Sequence, residues 1–138
     1  MIKKLTSLLL LLTLGQLLHA QPVWKIAGNK ILTPWSKNIN TIQPWLDYPR
    51  PQMQRDAWTN LNGLWDYAVL PVKEAAPTAF AEKILVPFAI ESAMSGVGKM
   101  VGKDSALWYH RSFDLPEGVK NKRLLLQFGA VDWQCTIW

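Results

Sequence analysis

Apolar and polar side chains alternate along much of the chain with the two-residue period of β-strands. In the stretch 63–70, Trp65, Tyr67 and Val69 share one face, and Asp66 and Ala68 lie on the other. Alternation also predicts strands at 106–115 and 124–128, and short apolar runs predict two more, at 83–86 and 135–138. Because prolines and glycines separate these strands and no stretch has a clear helical period, the pattern predicts an all-β, antiparallel β-sandwich.

The stretch 21–50 shows neither the two-residue period of strands nor the period of helices. It contains four prolines, which restrict the backbone and cannot donate to a ladder of hydrogen bonds. We therefore expect an extended arm, and we expect its tryptophans, Trp24, Trp35 and Trp45, to lie across a surface made by the rest of the chain. The Ser- and Gly-rich stretch 88–102 is expected to be a long loop.

Residues 1–20 resemble a secretory signal peptide. Lys3 and Lys4 precede an apolar stretch that runs from Leu5 to Leu18, and Ala20 provides a small residue for cleavage. The alternative is a membrane anchor, but a spanning helix needs about 20 apolar residues and this stretch is shorter. We expect cleavage and a periplasmic or secreted protein that no longer contacts the membrane.

The composition narrows the class of partner. Without Lys3 and Lys4 the chain has 13 basic against 10 acidic residues, a net charge of +3. These charges are scattered and form no basic stripe for phosphates, so a nucleic-acid partner is not expected. Cys135 is the only cysteine and no His/Cys cluster has zinc spacing, so neither an internal disulfide nor a metal or other cofactor is expected.

A series of short motifs runs through the chain in a fixed order. It consists of Tyr48-Pro49-Arg50-Pro51-Gln52-Met53, Trp58-x-x-Leu61-Asn62-Gly63-Leu64-Trp65, Val86-Pro87-Phe88-x-Ile90-Glu91-Ser92, Ser95-Gly96, Leu107-Trp108-Tyr109-x-Arg111-x-Phe113 and Phe128-Gly129-Ala130-Val131-Asp132-Trp133. The series resembles the N-terminal sugar-binding domain of glycoside hydrolase family 2, which contains β-galactosidases, β-glucuronidases and β-mannosidases. The resemblance covers about 33–138.

The resemblance implies a jelly-roll, galactose-binding-like sandwich at 51–138, after the signal peptide and the arm. It also implies an immunoglobulin-like domain and a catalytic barrel as further parts of the same polypeptide. Two glutamates on such a barrel cleave β-glycosides with retention of configuration. In this family an asparagine precedes the acid/base, and the chain contains no Asn-Glu pair. We therefore expect no catalytic residue among these 138 and no hydrolysis by the chain alone.

The last predicted strand runs to Trp138 without a following turn or polar tail. A sheet that stopped there would leave backbone groups unpaired. The expectation from this pattern is a sandwich that is incomplete at its C-terminus.

Four residues are candidates for contact with a carbohydrate: Glu91, Arg111, Asp132 and Trp133. In some family members the loop after the Val-Pro pair supplies an asparagine that contacts the sugar, but Ala89 stands at that position. Glu91 could replace that contact, or it could cap backbone N–H groups of the loop. Asp132 could accept hydrogen bonds from sugar hydroxyls or hold a bend.

Arg111 lies on the apolar face of its predicted strand, where a guanidinium needs carboxylate or carbonyl partners. Asp132 and Glu91 are the candidate carboxylates, and the pair could be structural or part of a site. Trp58, Trp108 and Trp133 could stack on sugar rings or pack in an interface, whereas Trp65 is expected in the core.

Two functions follow from these patterns. The first is the N-terminal part of a secreted retaining β-glycosidase, which shapes the substrate site and supports the catalytic barrel. The second is a stand-alone carbohydrate-binding module without hydrolase activity. A structural domain of a cell-surface assembly is a further alternative.

Overall fold

The computed structural model describes residues 23–138, so the signal peptide expected at 1–20 lies outside the described residues. The described part contains three β-strands, which we number β1 (Gly63–Pro71), β2 (Glu82–Val86) and β3 (Ser105–His110). Three short 3₁₀ helices accompany them, at Pro34–Asn38, Pro51–Met53 and Ala93–Ser95. This content is compatible with the expected all-β class.

The three strands form one antiparallel sheet in the order β2-β1-β3. In the register of the sheet, Trp65 of β1 lies opposite Ile84 of β2, and Tyr67 lies opposite Tyr109 of β3. Directly opposite residues share a face, so large side chains from all three strands meet on one side of the sheet.

A hydrophobic core cluster lies on that face. Tyr67, Ile84 and Ile90 are buried, and Ile90 comes from the loop that follows β2. Partly buried apolar side chains surround them: Trp65, Val97, Val101 and Leu107. The alternation had predicted that Trp65 and Tyr67 share the inner face, and that prediction is confirmed.

Ser95 holds the loop over the core. Its side chain is completely buried. The hydroxyl oxygen lies 2.8 Å from the carbonyl oxygen of Ser92 and 3.0 Å from that of Ile90, and it accepts a hydrogen bond from the amide of Val97 at 3.0 Å. One buried hydroxyl therefore fixes backbone groups on both sides of it, because a buried polar group needs such partners.

The beginning of the arm packs on this loop. The indole Nε1 of Trp24 donates to the carbonyl of Ser95 at 2.9 Å, and the amide of Ala27 donates to Ala93 at 3.0 Å. Gly96 has a φ of 85°, and a Cβ on it would collide with the indole ring of Trp24. A residue without a side chain is therefore required for both reasons.

The end of the arm is hydrogen-bonded to the residues just before β1. The side-chain amide of Asn60 donates to the carbonyl of Trp45 at 2.7 Å, and that of Asn62 donates to Pro44 at 3.2 Å. Gly63 has a φ of 131°, and a Cβ on it would lie 2.6 Å from the carbonyl oxygen of Ile42. Trp24 and Trp45 thus lie in the segments that contact the rest of the chain, whereas Trp35 is 79% exposed.

The C-terminal part of the prediction is wrong. The strand expected at 106–115 ends at His110, and the stretches 124–128 and 135–138 are not paired as strands. Every residue from 120 to 138 is exposed. An alternating segment forms a strand only where another strand is available to pair with its backbone, and residues 23–138 provide no such partner for these stretches.

The second sheet of the expected sandwich is accordingly not formed by residues 23–138. No helix within this range is both long and apolar enough to cross a membrane.

Candidate functional site

A cleft of about 350 Å³ lies where the arm meets the loop after β2. Lys30, Ile31, Leu32 and Thr33 of the arm line one part of it, and the run Glu91–Met94 lines the other. The hydrogen bond from Ala27 to Ala93 holds the two segments together beside the cleft. We call this the Glu91 cleft.

Glu91 is the only carboxylate among the residues that line this cleft. Its side chain is half-buried, and a capping hydrogen bond from the loop to its carboxylate is not among those that residues 23–138 form. Ser92 instead caps the short helix, with its hydroxyl accepting from the amide of Ser95 at 3.1 Å. The capping alternative for Glu91 therefore has no support, and its oxygens are available to accept hydrogen bonds from a ligand.

The charge of Glu91 also acts on β3. Partial burial raises the pKa of Tyr109, and the negative charge of Glu91 raises it further. The phenol therefore remains protonated at neutral pH. The Glu91 carboxylate, which can accept hydrogen bonds, and the Tyr109 phenol, which can donate one, are therefore close enough to interact, although only Glu91 lines the cleft itself.

Arg111 follows β3 and is half-buried. Its Nη1 donates to the carbonyl of Leu64 at 2.6 Å, and its Nε is buried without a partner. It forms no ion pair with Asp132 or Glu91, since Asp66 is the carboxylate in both ion pairs found among residues 23–138. Neither candidate carboxylate is its partner; of the two kinds of partner expected for Arg111, a main-chain carbonyl is the one found.

Asp132 and Trp133 lie on the exposed C-terminal segment. Trp133 is 87% exposed, and bends occur at Gly129 and Trp133. The residues that line the Glu91 cleft do not include either of them. Of the four candidate residues, Glu91 lines this cleft and the other three do not.

The candidate tryptophans have different surroundings. Trp65 packs against the core and its indole donates to the carbonyl of Leu61 at 2.8 Å, as expected for a core residue. Trp58 packs on Tyr48, with ring centroids 4.8 Å apart. Trp108 packs on Trp138 at 5.1 Å, and its indole nitrogen is buried without a hydrogen-bond partner. Of these four tryptophans, Trp133 is the most exposed.

A charged cluster that the sequence analysis missed lies on the opposite face of the sheet. Asp66 is paired across the strands with Lys83 and His110, at 2.5 and 3.3 Å, and the ring of Phe80 stacks on His110. Burial alone would raise the pKa of Asp66, but the hydrogen bonds and charges of Lys83 and His110 outweigh it and lower the pKa. Alternation gives the face of a side chain within its own strand, and only the register of the sheet brings Asp66 opposite Lys83 and His110.

The residues that line the Glu91 cleft can bind a ligand, but they cannot carry out retaining hydrolysis. Retaining glycoside hydrolysis needs two carboxyl groups about 5–5.5 Å apart, and residues 30–33 and 91–94 supply one. Residues 23–138 also contain no group of three or more His, Cys, Asp or Glu side chains that could hold a metal ion.

Comparison of the sequence with protein-family models gives no match, and neither does comparison with curated proteins.

Proposed function

We propose that the chain is the N-terminal, sugar-facing part of a secreted retaining β-glycosidase of glycoside hydrolase family 2. In this proposal the Glu91 cleft forms part of the wall of the substrate site. The catalytic carboxylates belong to a barrel elsewhere in the same polypeptide.

The Glu91 cleft is the observation that carries the proposal. The motif Val86-Pro87-Phe88-x-Ile90-Glu91-Ser92 corresponds to the loop that contacts sugar in some members of the family, and the same loop lines a cleft here. Glu91 lies two positions after Ala89, where those members have asparagine. A carboxylate accepts hydrogen bonds from the hydroxyls that an asparagine side chain would otherwise contact.

The other motif residues support the proposal less directly, because most of them have structural roles. Asn62 and Gly63 fix the end of the arm, and Ser95 and Gly96 fix its beginning. An arm held at both ends positions residues 30–33 over the loop. These motifs thus build the cleft rather than contact the ligand.

A stand-alone carbohydrate-binding module is the second candidate. The exposed ring of Trp133 favours it, because aromatic side chains with an open face can stack on sugars. This candidate requires binding without hydrolysis by any natural form of the protein.

The first test is to read the natural coding sequence on the C-terminal side of Trp138. The glycosidase proposal expects several hundred further residues that contain an Asn-Glu pair. A stop codon directly after Trp138 would contradict it and favour the binding module.

The second test compares the 138-residue chain with the product of the complete gene on 4-nitrophenyl β-glycosides. We expect no turnover by the chain and hydrolysis by the complete product. In the complete product, Glu91→Gln should raise KM about tenfold with little change in kcat, since a lost contact to a charged group weakens binding in the ground and transition states alike.

Glu117→Gln is the matched control, because Glu117 is an exposed carboxylate in a turn remote in sequence from the cleft. An unchanged KM for Glu91→Gln, or equal effects of the two substitutions, would remove Glu91 from the substrate site. Turnover by the chain alone would contradict the absence of catalytic residues.

A further inference from the structure

Asn62 is the only asparagine of the chain that is followed by glycine. An Asn-Gly pair is especially prone to deamidation, because glycine has no side chain to shield its main-chain nitrogen from the preceding carboxamide. The pair also lies where the end of the arm meets β1, so a chemical change there would alter the contact between them. Bulkier residues follow the other five asparagines: Lys30, Ile39, Thr41, Leu61 and Lys122.

Deamidation of this pair needs no reactant other than water. The main-chain nitrogen of Gly63 loses its proton and attacks Cγ of Asn62, the Cγ–Nδ2 bond breaks, and the carboxamide nitrogen leaves with a proton as ammonia. Water then opens the resulting cyclic succinimide at one of its two carbonyls. The products are aspartate and isoaspartate, and in isoaspartate the main chain runs through the side-chain carboxyl and is one methylene longer.

Hydrogen bonds hold both ends of Asn62 in the folded chain. Its side-chain nitrogen donates to the carbonyl of Pro44 at 3.2 Å, and its main-chain nitrogen donates to Oδ1 of Asn60 at 2.7 Å. Asn60 is itself fixed, since its side-chain nitrogen donates to the carbonyl of Trp45 at 2.7 Å. The attack requires the carboxamide of Asn62 to move onto the nitrogen of Gly63, so these bonds oppose the reaction while the end of the arm is docked.

The same junction has no space for the products. Gly63 is buried, and a Cβ on it would lie 2.6 Å from the carbonyl oxygen of Ile42 and 3.3 Å from Nη1 of Arg111. An isoaspartate lengthens the main chain beside this tightly packed glycine and displaces it. An aspartate places a carboxylate, which can only accept, against the carbonyl of Pro44. Both products therefore oppose the return of the arm to its docked position.

The end of the arm has few buried contacts that would keep it closed. Within residues 39–61, Pro44 is the only residue that is buried. Segments with so little buried surface open locally at a small cost in free energy, without unfolding of the remaining structure. Each opening frees the carboxamide of Asn62 from its acceptor.

We propose that Asn62 is a deamidation site controlled by the arm. The reaction is slow while Pro44 and Trp45 are docked and fast once they leave, and its products keep the end of the arm open. The pair thus converts a reversible opening into a permanent one. The proposal does not depend on the function of the chain, because no ligand and no catalysis by another residue enters it.

Peptide mapping by mass spectrometry tests the first part of the proposal. The 138-residue chain is incubated in mildly alkaline buffer, and conversion of Asn62 is followed in the tryptic peptide 56–73. Protein L-isoaspartate methyltransferase with a labelled methyl donor measures the isoaspartate formed. We expect conversion to be at least about tenfold slower in the folded chain than in the chain unfolded in guanidinium chloride.

Two substitutions test the control by the arm. Asn60→Ala removes the hydrogen bonds to Trp45 and Asn62, so it should speed conversion of Asn62 in the folded chain at least about fivefold. Asn38→Ala, at an exposed position of the same arm, is the matched control and should leave the rate unchanged. Far-ultraviolet circular dichroism shows whether the sheet is retained. If Asn60→Ala loses it, Asn60→Asp takes its place, because it keeps the acceptor for Asn62 and loses only the donor to Trp45.

Trypsin measures the release of the arm. Cleavage after Arg50 and Arg55 should be at least about fivefold faster in a deamidated sample than in the fresh chain, since a displaced segment is more accessible to the protease. Asn62→Gln is the control, because a glutamine carboxamide cyclises onto the next nitrogen much more slowly. The same incubation should therefore leave its cleavage rate unchanged.

Equal conversion in the folded and the unfolded chain would overturn the proposal. So would an unchanged rate in the folded Asn60 variant, or an equal acceleration by Asn38→Ala, because the junction would then not set the rate. A deamidated chain that is cleaved no faster than the fresh one would also overturn it, since the products would then fit the docked arm.

Discussion

The face of the sheet that carries the core cluster and the C-terminal segment 124–138 have similar sequence patterns and different structures. Large apolar residues alternate in β1, and they also alternate at Leu124, Leu126 and Phe128. β1 has a hydrogen-bonded neighbour on each side and a loop packed over one face, whereas the C-terminal segment has neither and all of its residues are exposed. The comparison shows that alternation describes a side-chain arrangement, and that pairing determines whether a strand forms.

The largest expected effect on stability comes from a substitution in the core cluster. Ile84 is completely buried between Trp65 and the loop residues of the core, so Ile84→Ala should lower the free energy of unfolding by about 2–5 kcal/mol. Leu126→Ala, in the exposed segment, should change it by less than about 0.5 kcal/mol. Urea denaturation of the two variants measures both values. Similar losses would show that the C-terminal segment is packed as tightly as the sheet.

The sequence was sufficient for β1 and β2 because β1 alternates, β2 is a short apolar run, and a proline marks the C-terminal end of each, Pro71 and Pro87. It also placed Trp65 in the core. Of the three arm tryptophans expected to lie across the rest of the chain, Trp24 and Trp45 contact it, but Trp35 is 79% exposed and the expectation is wrong there.

The sequence named carboxylates or carbonyls as partners of Arg111 but could not identify Leu64, because every residue has a main-chain carbonyl and the sequence does not show which one lies near the guanidinium. The Asp66 cluster was missed for a similar reason, since residues 17 and 44 positions away are brought to Asp66 only by strand register.

The candidate site was predicted in part. Glu91 was selected through a motif, and the cleft around it depends on how the arm crosses the loop, which its irregular sequence does not reveal. Ser95 and Gly96 stood in the motif series, but the buried hydroxyl and the indole packed over the glycine were visible only in the fold.

A second expected effect concerns the contact between arm and loop. Gly96→Ala should lower the free energy of unfolding by more than 2 kcal/mol, because the new Cβ collides with Trp24 in addition to its strained φ. Gly118→Ala is the matched control, since Gly118 also has a positive φ, 72°, but has open space around it. The control should lose about 1 kcal/mol, the strain alone.

Limited proteolysis provides a second measurement of the Gly96 variant. Cleavage in the stretch 24–33 should become faster in Gly96→Ala and remain unchanged in Gly118→Ala. Equal stability losses and equal cleavage rates would mean that the arm is not held by this contact.

A smaller effect is expected at Arg111. Arg111→Leu should lower the free energy of unfolding by about 1–2 kcal/mol through loss of the hydrogen bond to Leu64. Asp132→Ala, on the exposed segment, should change it by less than about 0.5 kcal/mol. The double variant should show the sum of the two. A coupling clearly above about 0.5 kcal/mol would indicate an ion pair between these residues after all.

The smallest expected effect is a pH dependence of stability that comes from Asp66, on the face of the sheet opposite the core cluster. The pKa of Asp66 is lower in the folded chain than in the unfolded one, so its stabilising contribution is present above the unfolded pKa of about 3.9 and is lost as the pH falls through the folded pKa. The difference in stability between wild type and Asp66→Asn should accordingly be largest at neutral pH, below about 1 kcal/mol, and should shrink below about pH 4. Urea denaturation from pH 7 to pH 3 measures it, and a difference that grows in acid would reverse the sign of the argument.

The central claim is that these residues belong to a glycosidase that retains anomeric configuration and has its catalytic carboxylates elsewhere. It is tested most directly by proton NMR of the sugar first released when the complete gene product hydrolyses a 4-nitrophenyl β-glycoside. We expect the β-anomer to appear first and to mutarotate later. First release of the α-anomer, or no hydrolysis of any β-glycoside by the complete product, would contradict the claim.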